Sequence, residues 1–164
     1  MPQNYQDMAN SYKKVYLHIV FAVKHRQALL EKTWRNNLFA YISGILNKRG
    51  HFSLAVNGHF DHIHMFFDYN FNELISDLVR EIKKSSSQYI SENKLTKYKF
   101  EWQTGYSVFS NGYREKDMII NYIINQESHH SATAFRDEYI AMLNDYEVEF
   151  KDEYVFDFFD DFSE

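Results

Sequence analysis

The sequence predicts an α+β fold, in which one antiparallel sheet carries helices mainly on one face. Three observations carry this expectation. Apolar residues recur with a period of two in some stretches and at helical spacing in others. Asn57-Gly58 stands between two apolar runs, where a turn would join neighbouring strands into a hairpin. The only proline is Pro2, so no proline interrupts an element in the body of the chain.

Taken in order, residues 1–11 are polar and read as a loose arm. Val15 to Val23 is rich in β-branched and aromatic residues and reads as a central strand. It exits into Lys24-His25-Arg26. Trp34, Leu38, Tyr41, Ile42 and Ile45 recur at helical spacing, predicting a helix from Thr33 to Arg49 with Gly50 as its stop. Phe52 to Val56 is the second strand and His62 to Asp68 the third. Asn70, with Glu73 three residues later, has the form of a capping box. The helix expected after it buries Leu74, Ile75, Leu78, Val79, Ile82, Tyr89 and Ile90. Its other face carries Arg80, Lys83, Lys84 and Ser85-Ser86-Ser87. Phe100 to Phe109 reads as a strand broken at Gly105. Glu115 to His130 reads as one helix, with acids in its first turn and histidines in its last, as the helix dipole prefers. A short helix over residues 133–146 follows. Strand, helix, strand, strand, helix, strand, helix is a ferredoxin-like (RRM-like) order, and residues 1–164 read as a single domain.

Hydrophobic residues make up 45% of the chain and aromatics 18%, which is a globular composition rather than a disordered one. No apolar run approaches the ~20 residues of a membrane span. The absence of cysteine excludes disulfides, thiolate metal sites and cysteine nucleophiles, and suits a cytoplasmic protein. The net charge of −5 is unevenly spread. Residues 147–164 form an acidic tail of net −7, leaving +2 on the rest. The body therefore has cations enough for a local phosphate-binding surface.

The chemistry centres on Asp61-His62-Ile63-His64-Met65. Alternate residues of a strand share a face, so His62 and His64 project side by side and can ligate one ion. Tyr122 and Gln126, four apart on a helix, also share a face. A divalent cation on His62, His64 and the Gln126 carbonyl oxygen, with Tyr122 one turn away, suits attack of a phenolate on a phosphodiester.

These stretches together resemble the HUH (His-hydrophobic-His) single-tyrosine transposases of the insertion-sequence-two-hundred-like type, small bacterial enzymes that move single-stranded DNA. The resemblance is carried by Asp61-His62-Ile63-His64 and by Ser76-Asp77-Leu78-Val79-Arg80 with Lys83. It extends to Phe100-Glu101-Trp102-Gln103 with Gly105-Tyr106, to Tyr122-Ile123 with Asn125-Gln126, and to His18-Ile19-Val20-Phe21 with Lys24 and Arg26. It implies that Tyr122 is the nucleophile, forming a 5′-phosphotyrosine. His62, His64 and Gln126 would hold Mg²⁺ or Mn²⁺ in a site without carboxylates. Lys24, Arg26, Arg80, Lys83 and Lys84 would hold hairpin-bearing single-stranded DNA. The partners implied are that DNA and a second copy of the chain, in a homodimer whose active sites are composite in trans. Ser110 to Tyr113 would be the hinge, and Val15 to Val23 or Tyr106 to Phe109 the interface. A domesticated relative would keep the same four residues. Two readings stand beside this one. A non-catalytic nucleic-acid module needs exposed aromatics on its central strands. A two-metal hydrolase needs further acidic and histidine ligands after His64, where Phe66 and Phe67 stand.

Overall fold

A computed structural model describes residues 12–131 and 133–159, so the expected N-terminal arm lies outside the described residues. Strand β1 (Tyr16–Ala22) runs through the interior of a four-stranded sheet, between β3 (His62–Asp68) and β4 (Ser107–Asn111). Strand β2 (Phe52–Gly58) forms the far edge beside β3. Every neighbouring pair is antiparallel, with Val20 opposite His64 and His18 opposite both Phe66 and Phe109. Two helices, α1 (Arg35–Lys48) and α2 (Ile75–Glu92), cover one face. Leu38, Ile42 and Leu46 of α1 and Leu78, Ile82 and Ile90 of α2 join Ile19, Phe21, Ile63, Met65 and Phe67 in the main core. This is the predicted α+β fold with its two long helices on one face.

Three shorter helices lie over the opposite face: α3 (Lys116–Ile124), α4 (Gln126–His130) and α5 (Phe135–Asp145). Here Ile123 packs with Tyr16, Ala55 and Phe66 in a second apolar cluster. Sheet residues on both faces are thus out of water. All seven residues of β1 are buried, in keeping with its largely apolar sequence.

Local chemistry accounts for the differences from the predicted elements. Asn70 and Glu73 do not cap α2. Asn70 Oδ1 accepts the Asn72 N–H at 3.1 Å, while the Glu73 carboxylate binds the Arg49 guanidinium and His51 Nε2, the latter at 2.9 Å. The expected strand from Phe100 is mostly extended coil. Trp102 makes one bridge to Val23, Gly105 turns the chain at φ 91°, and regular pairing resumes only at Ser107. The predicted hinge is partly strand, since Ser110 and Asn111 pair with Leu17 and Tyr16. Only Gly112 separates β4 from the 3₁₀ turn Tyr113–Glu115 that leads into α3.

The helix predicted from Glu115 to His130 is interrupted at Asn125, which adopts φ −91° and ψ 21°. Its side-chain amide donates to the Asn121 carbonyl at 2.8 Å, competing with the helix's own bonding. Nor does the acidic tail hang free where it is described. Phe156 is buried against Phe135 and Tyr139, and the Gln103 amide pairs with both the N–H and the carbonyl of Asp157, each at 2.8 Å. Residues 160–164 of that tail lie outside the described residues. Among the described residues no helix is long and apolar enough to cross a membrane.

Candidate active site

Strand alternation sends Ile63, Met65 and Phe67 beneath α1 and α2, and His62 and His64 to the opposite face. Gly58, at the end of β2, lets β3 begin where it does. A Cβ there would stand 2.1 Å from the His62 carbonyl oxygen, so a side chain would displace the backbone that aims His62. Asn57 beside it donates to the carbonyls of Ile123 at 2.9 Å and Ile124 at 3.0 Å. That clamp holds the carboxyl end of α3 over the histidines and brings Tyr122 edge-on to the His64 ring, with centroids 5.8 Å apart. The break at Asn125 then turns Gln126 inward, where it is fully buried.

The histidines are held in the way metal-ligating rings are held. Asp61 accepts from His62 Nδ1 at 2.7 Å, and His18 Nε2 lies 2.8 Å from His64 Nδ1. Each outer nitrogen is thereby occupied, and both Nε2 atoms face the centre of the cluster. His62 Nε2 lies 3.0 Å from Gln126 Oε1. Asp61 thus orients the His62 ring. The donor set of two imidazoles and an amide oxygen fits a divalent ion.

A carboxylate stands in the same site, contrary to the expected set without one. Glu138 of α5 brings Oε1 to 3.0 Å from His64 Nε2 and 3.4 Å from His62 Nε2. Its Oε2 accepts from the Tyr122 hydroxyl, and from Gln126 Nε2 at 3.2 Å. His130, at the end of α4, completes the ring of groups, with Nε2 2.9 Å from Gln126 Oε1. His62, His64, His130 and Glu138 together form a group able to hold a metal ion. Two signals for the missed residues lay in the sequence. Gln126 and His130 are four apart and so share a face. Glu138 falls between Phe135 and Tyr139 on the apolar stripe of α5, where an ionisable residue is rarely buried without a task.

The electrostatics follow from burial and pairing. Burial opposes a charge on His62, yet Asp61 and Glu138 outweigh it and raise the ring to about 9. Burial dominates at His64 and lowers it. His18 is held well below the imidazole range by burial and by His64. Burial also works against the Glu138 charge, but His64, His130 and His62 prevail and keep it ionised well below the usual carboxylate range. Tyr122 is pushed above an ordinary phenol, by burial first and then by the Glu138 charge. It opens onto a groove of about 500 Å³ lined by Met118, Asn121, Asn125, Ser128 and His129.

The expected phosphate-binding cations divide into two groups. Lys24, Arg26, Arg80 and Lys84 are exposed. Lys24 lies 3.5 Å from Glu101, Arg80 2.8 Å from Asp77, and Arg26 over the Phe159 ring. Lys83 does not belong with them, because its ammonium turns inward to the carbonyls of Gln103 at 2.8 Å and Gly105 at 2.7 Å. Burial pushes that amine down to about 8. The exposed aromatic platform of a stacking module is also missing from the central strands, since β1 is wholly buried and β3 nearly so.

Solved structures share this arrangement of elements. A Deinococcus radiodurans R1 protein assigned as a transposase superposes with a TM-score of 0.57 at 22% identity, covering 71% of this chain and 94% of its own. A REP-associated tyrosine transposase bound to a REP hairpin gives 0.56 at 17% identity, covering 76% of this chain and 73% of its own. Likeness at such identity speaks to the fold alone. No curated protein matches the chain. The family model described as "Transposase IS200 like" matches residues 11–126, a span that runs from the approach to β1 through both histidines and Tyr122 to Gln126. With that match over more than half its length, the chain belongs to the IS200-like transposase family.

Proposed function

We propose that this chain cleaves and rejoins single-stranded DNA through a 5′-phosphotyrosine on Tyr122, moving an insertion sequence or, in a domesticated setting, performing the same strand chemistry for its host. The observation that carries the reading is the convergence of Tyr122, His62, His64 and Gln126 on one buried point. His62, His64 and Gln126 would hold Mg²⁺ or Mn²⁺. A divalent cation bound there draws charge from a phosphodiester oxygen and steadies a departing alkoxide.

The protein's own part is to position and deprotonate the nucleophile. As the Tyr122 oxygen bonds to phosphorus, the bond from phosphorus to the 3′ oxygen breaks. The phenolic proton leaves along its hydrogen bond to Glu138, and the 3′ oxygen takes a proton from water to become a free hydroxyl. The phosphotyrosine ester keeps the energy of the broken bond, so a second 3′-hydroxyl can attack it and rejoin DNA without ATP. The groove beside Tyr122 is where the strand would enter. The hairpin held by the REP-associated relative supports a hairpin-bearing strand as substrate.

Transposition needs two cleavages, so two chains act together as a homodimer. The trans placement expected from the resemblance would exchange α3 between subunits. In the described chain Tyr122 meets the histidines of its own chain, and we adopt that cis placement. The test is a hairpin oligonucleotide labelled on either side of the cut, incubated with protein and Mn²⁺. Wild type should retain label from the 5′-phosphate side in a denaturant-stable adduct, and His64→Ala should fall to background. Tyr122→Phe should bind the strand yet form no adduct. An adduct that persists in Tyr122→Phe would assign the nucleophile elsewhere.

A further inference from the structure

We propose that Glu138 is itself a ligand of the divalent ion, through Oε1, and that this carboxylate lets the chain bind its metal before any DNA phosphate arrives. The inference rests on the metal centre proposed above and adds to it a residue of α5, which lies beyond the segment matched by the family model.

The distances suit a shared ion. Two atoms each about 2.1 Å from one ion stand about 3.0 Å apart at a right angle and about 3.4 Å apart at the tetrahedral angle. His64 Nε2 to Glu138 Oε1 is 3.0 Å, His62 Nε2 to the same oxygen is 3.4 Å, and His62 Nε2 to Gln126 Oε1 is 3.0 Å. These three separations are ones that ligands of a common ion take, and the ligand atoms of His62, His64 and Glu138 all lie within 4.8 Å of one another.

The carboxylate, finally, divides its labour between its two oxygens. Oε2 is taken by the Tyr122 hydroxyl and the Gln126 amide, and Oε1 is the atom turned to the histidine pair. Glu138 thereby links ion and nucleophile in one rigid unit. Two imidazoles and an amide alone are neutral donors and hold Mg²⁺ or Mn²⁺ weakly, whereas an anionic oxygen suits these hard cations.

The experiment uses the full chain stripped with EDTA and titrated with Mn²⁺, free ion being read by electron paramagnetic resonance. Without DNA, wild type should take up one Mn²⁺ per chain. His64→Ala should lose that binding, and Glu138→Gln should weaken it by about tenfold or more. Equal affinity in wild type and Glu138→Gln would overturn the role of Glu138 and leave the metal centre standing. Binding seen only when the hairpin strand is added would overturn it in the same way. No uptake with or without the strand would remove the metal centre as well. A second variant reads contact directly. Glu138→Cys loaded with Co²⁺ should show a thiolate-to-cobalt charge-transfer band in the near ultraviolet. Visible cobalt bands without that band would place residue 138 away from the ion.

Discussion

At the scale of single residues, fixed tautomers recur in this protein. His51 is the clearest case outside the candidate site. Its Nδ1 accepts the Asn70 N–H at 3.0 Å, so Nε2 carries the proton and donates to Glu73 Oε1 at 2.9 Å. Burial lowers His51 below the ordinary imidazole range, and the Arg49 and His51 bonds lower Glu73 despite its own burial. Both shifts have the same sign for stability. The folded state resists protonation of His51, while the unfolded chain takes up that proton below the ordinary value of about 6.5. Stability is therefore held above that pH and lost below it, and Glu73 adds a further loss as pH falls past the carboxylate range. Melting temperatures recorded from pH 7 to pH 5 should fall for wild type and fall less steeply for His51→Gln. Parallel curves would remove His51 as the cause.

At the scale of elements, α2 does two jobs with neighbouring lysines. Lys83 reaches under the chain to satisfy the carbonyls of Gln103 and Gly105 and lies over the Phe21 ring, so it secures the irregular segment that bridges β1. Arg80 and Lys84 point into solvent. Lys83→Met should cost about 1–3 kcal/mol by leaving carbonyls unpaired, seen as a lower denaturation midpoint, while changing the salt dependence of DNA binding little. Lys84→Ala and Arg80→Ala should do the reverse. Stability should hold, and the slope of log K against log salt on a single strand should shrink by ~0.7 for each phosphate that is no longer neutralised. A lowered slope for Lys83→Met with unchanged stability would return that lysine to the DNA surface. The interruption of the last long helix at Asn125 belongs to this scale too. It separates the turn that carries Tyr122 from the turn that aims Gln126 and His130.

At the scale of the whole molecule, the histidine face is closed by segments from the end of the chain. Strand β1 is paired on both sides and cannot join a second sheet edge to edge. The outer edge of β4 remains open among the described strands. A homodimer built on β-augmentation would therefore use an outer strand, β4 or β2, rather than Val15 to Val23. Within one chain, Tyr122 already touches the carboxylate that His64 touches, and Asn57 pins α3 to its own β2. Mixing His64→Ala with Tyr122→Phe should accordingly give no recovery of strand cleavage, because each cis site keeps its own defect. Recovered activity would show that α3 is exchanged between partners.

The sequence by itself determined the sheet, the two long helices and the orientation of His62 and His64. Each of these follows from periodicity, a property of residues close together along the chain. It also carried the family signature, from Asp61-His62-Ile63-His64 to Tyr122 and Gln126. Only the tertiary structure decided that Lys83 is a structural cation, that Phe156 and Asp157 are docked, and that Glu138 and His130 meet the histidine pair. Those facts depend on long-range pairs such as His64 and Glu138, 74 residues apart. No local pattern records which face of α5 lands on which strand, because that is set by how the apolar stripe of Phe135, Tyr139 and Leu143 finds the sheet. An acid carried on that stripe reads as solvated until the stripe is buried, and then it becomes the anion at the centre of the site.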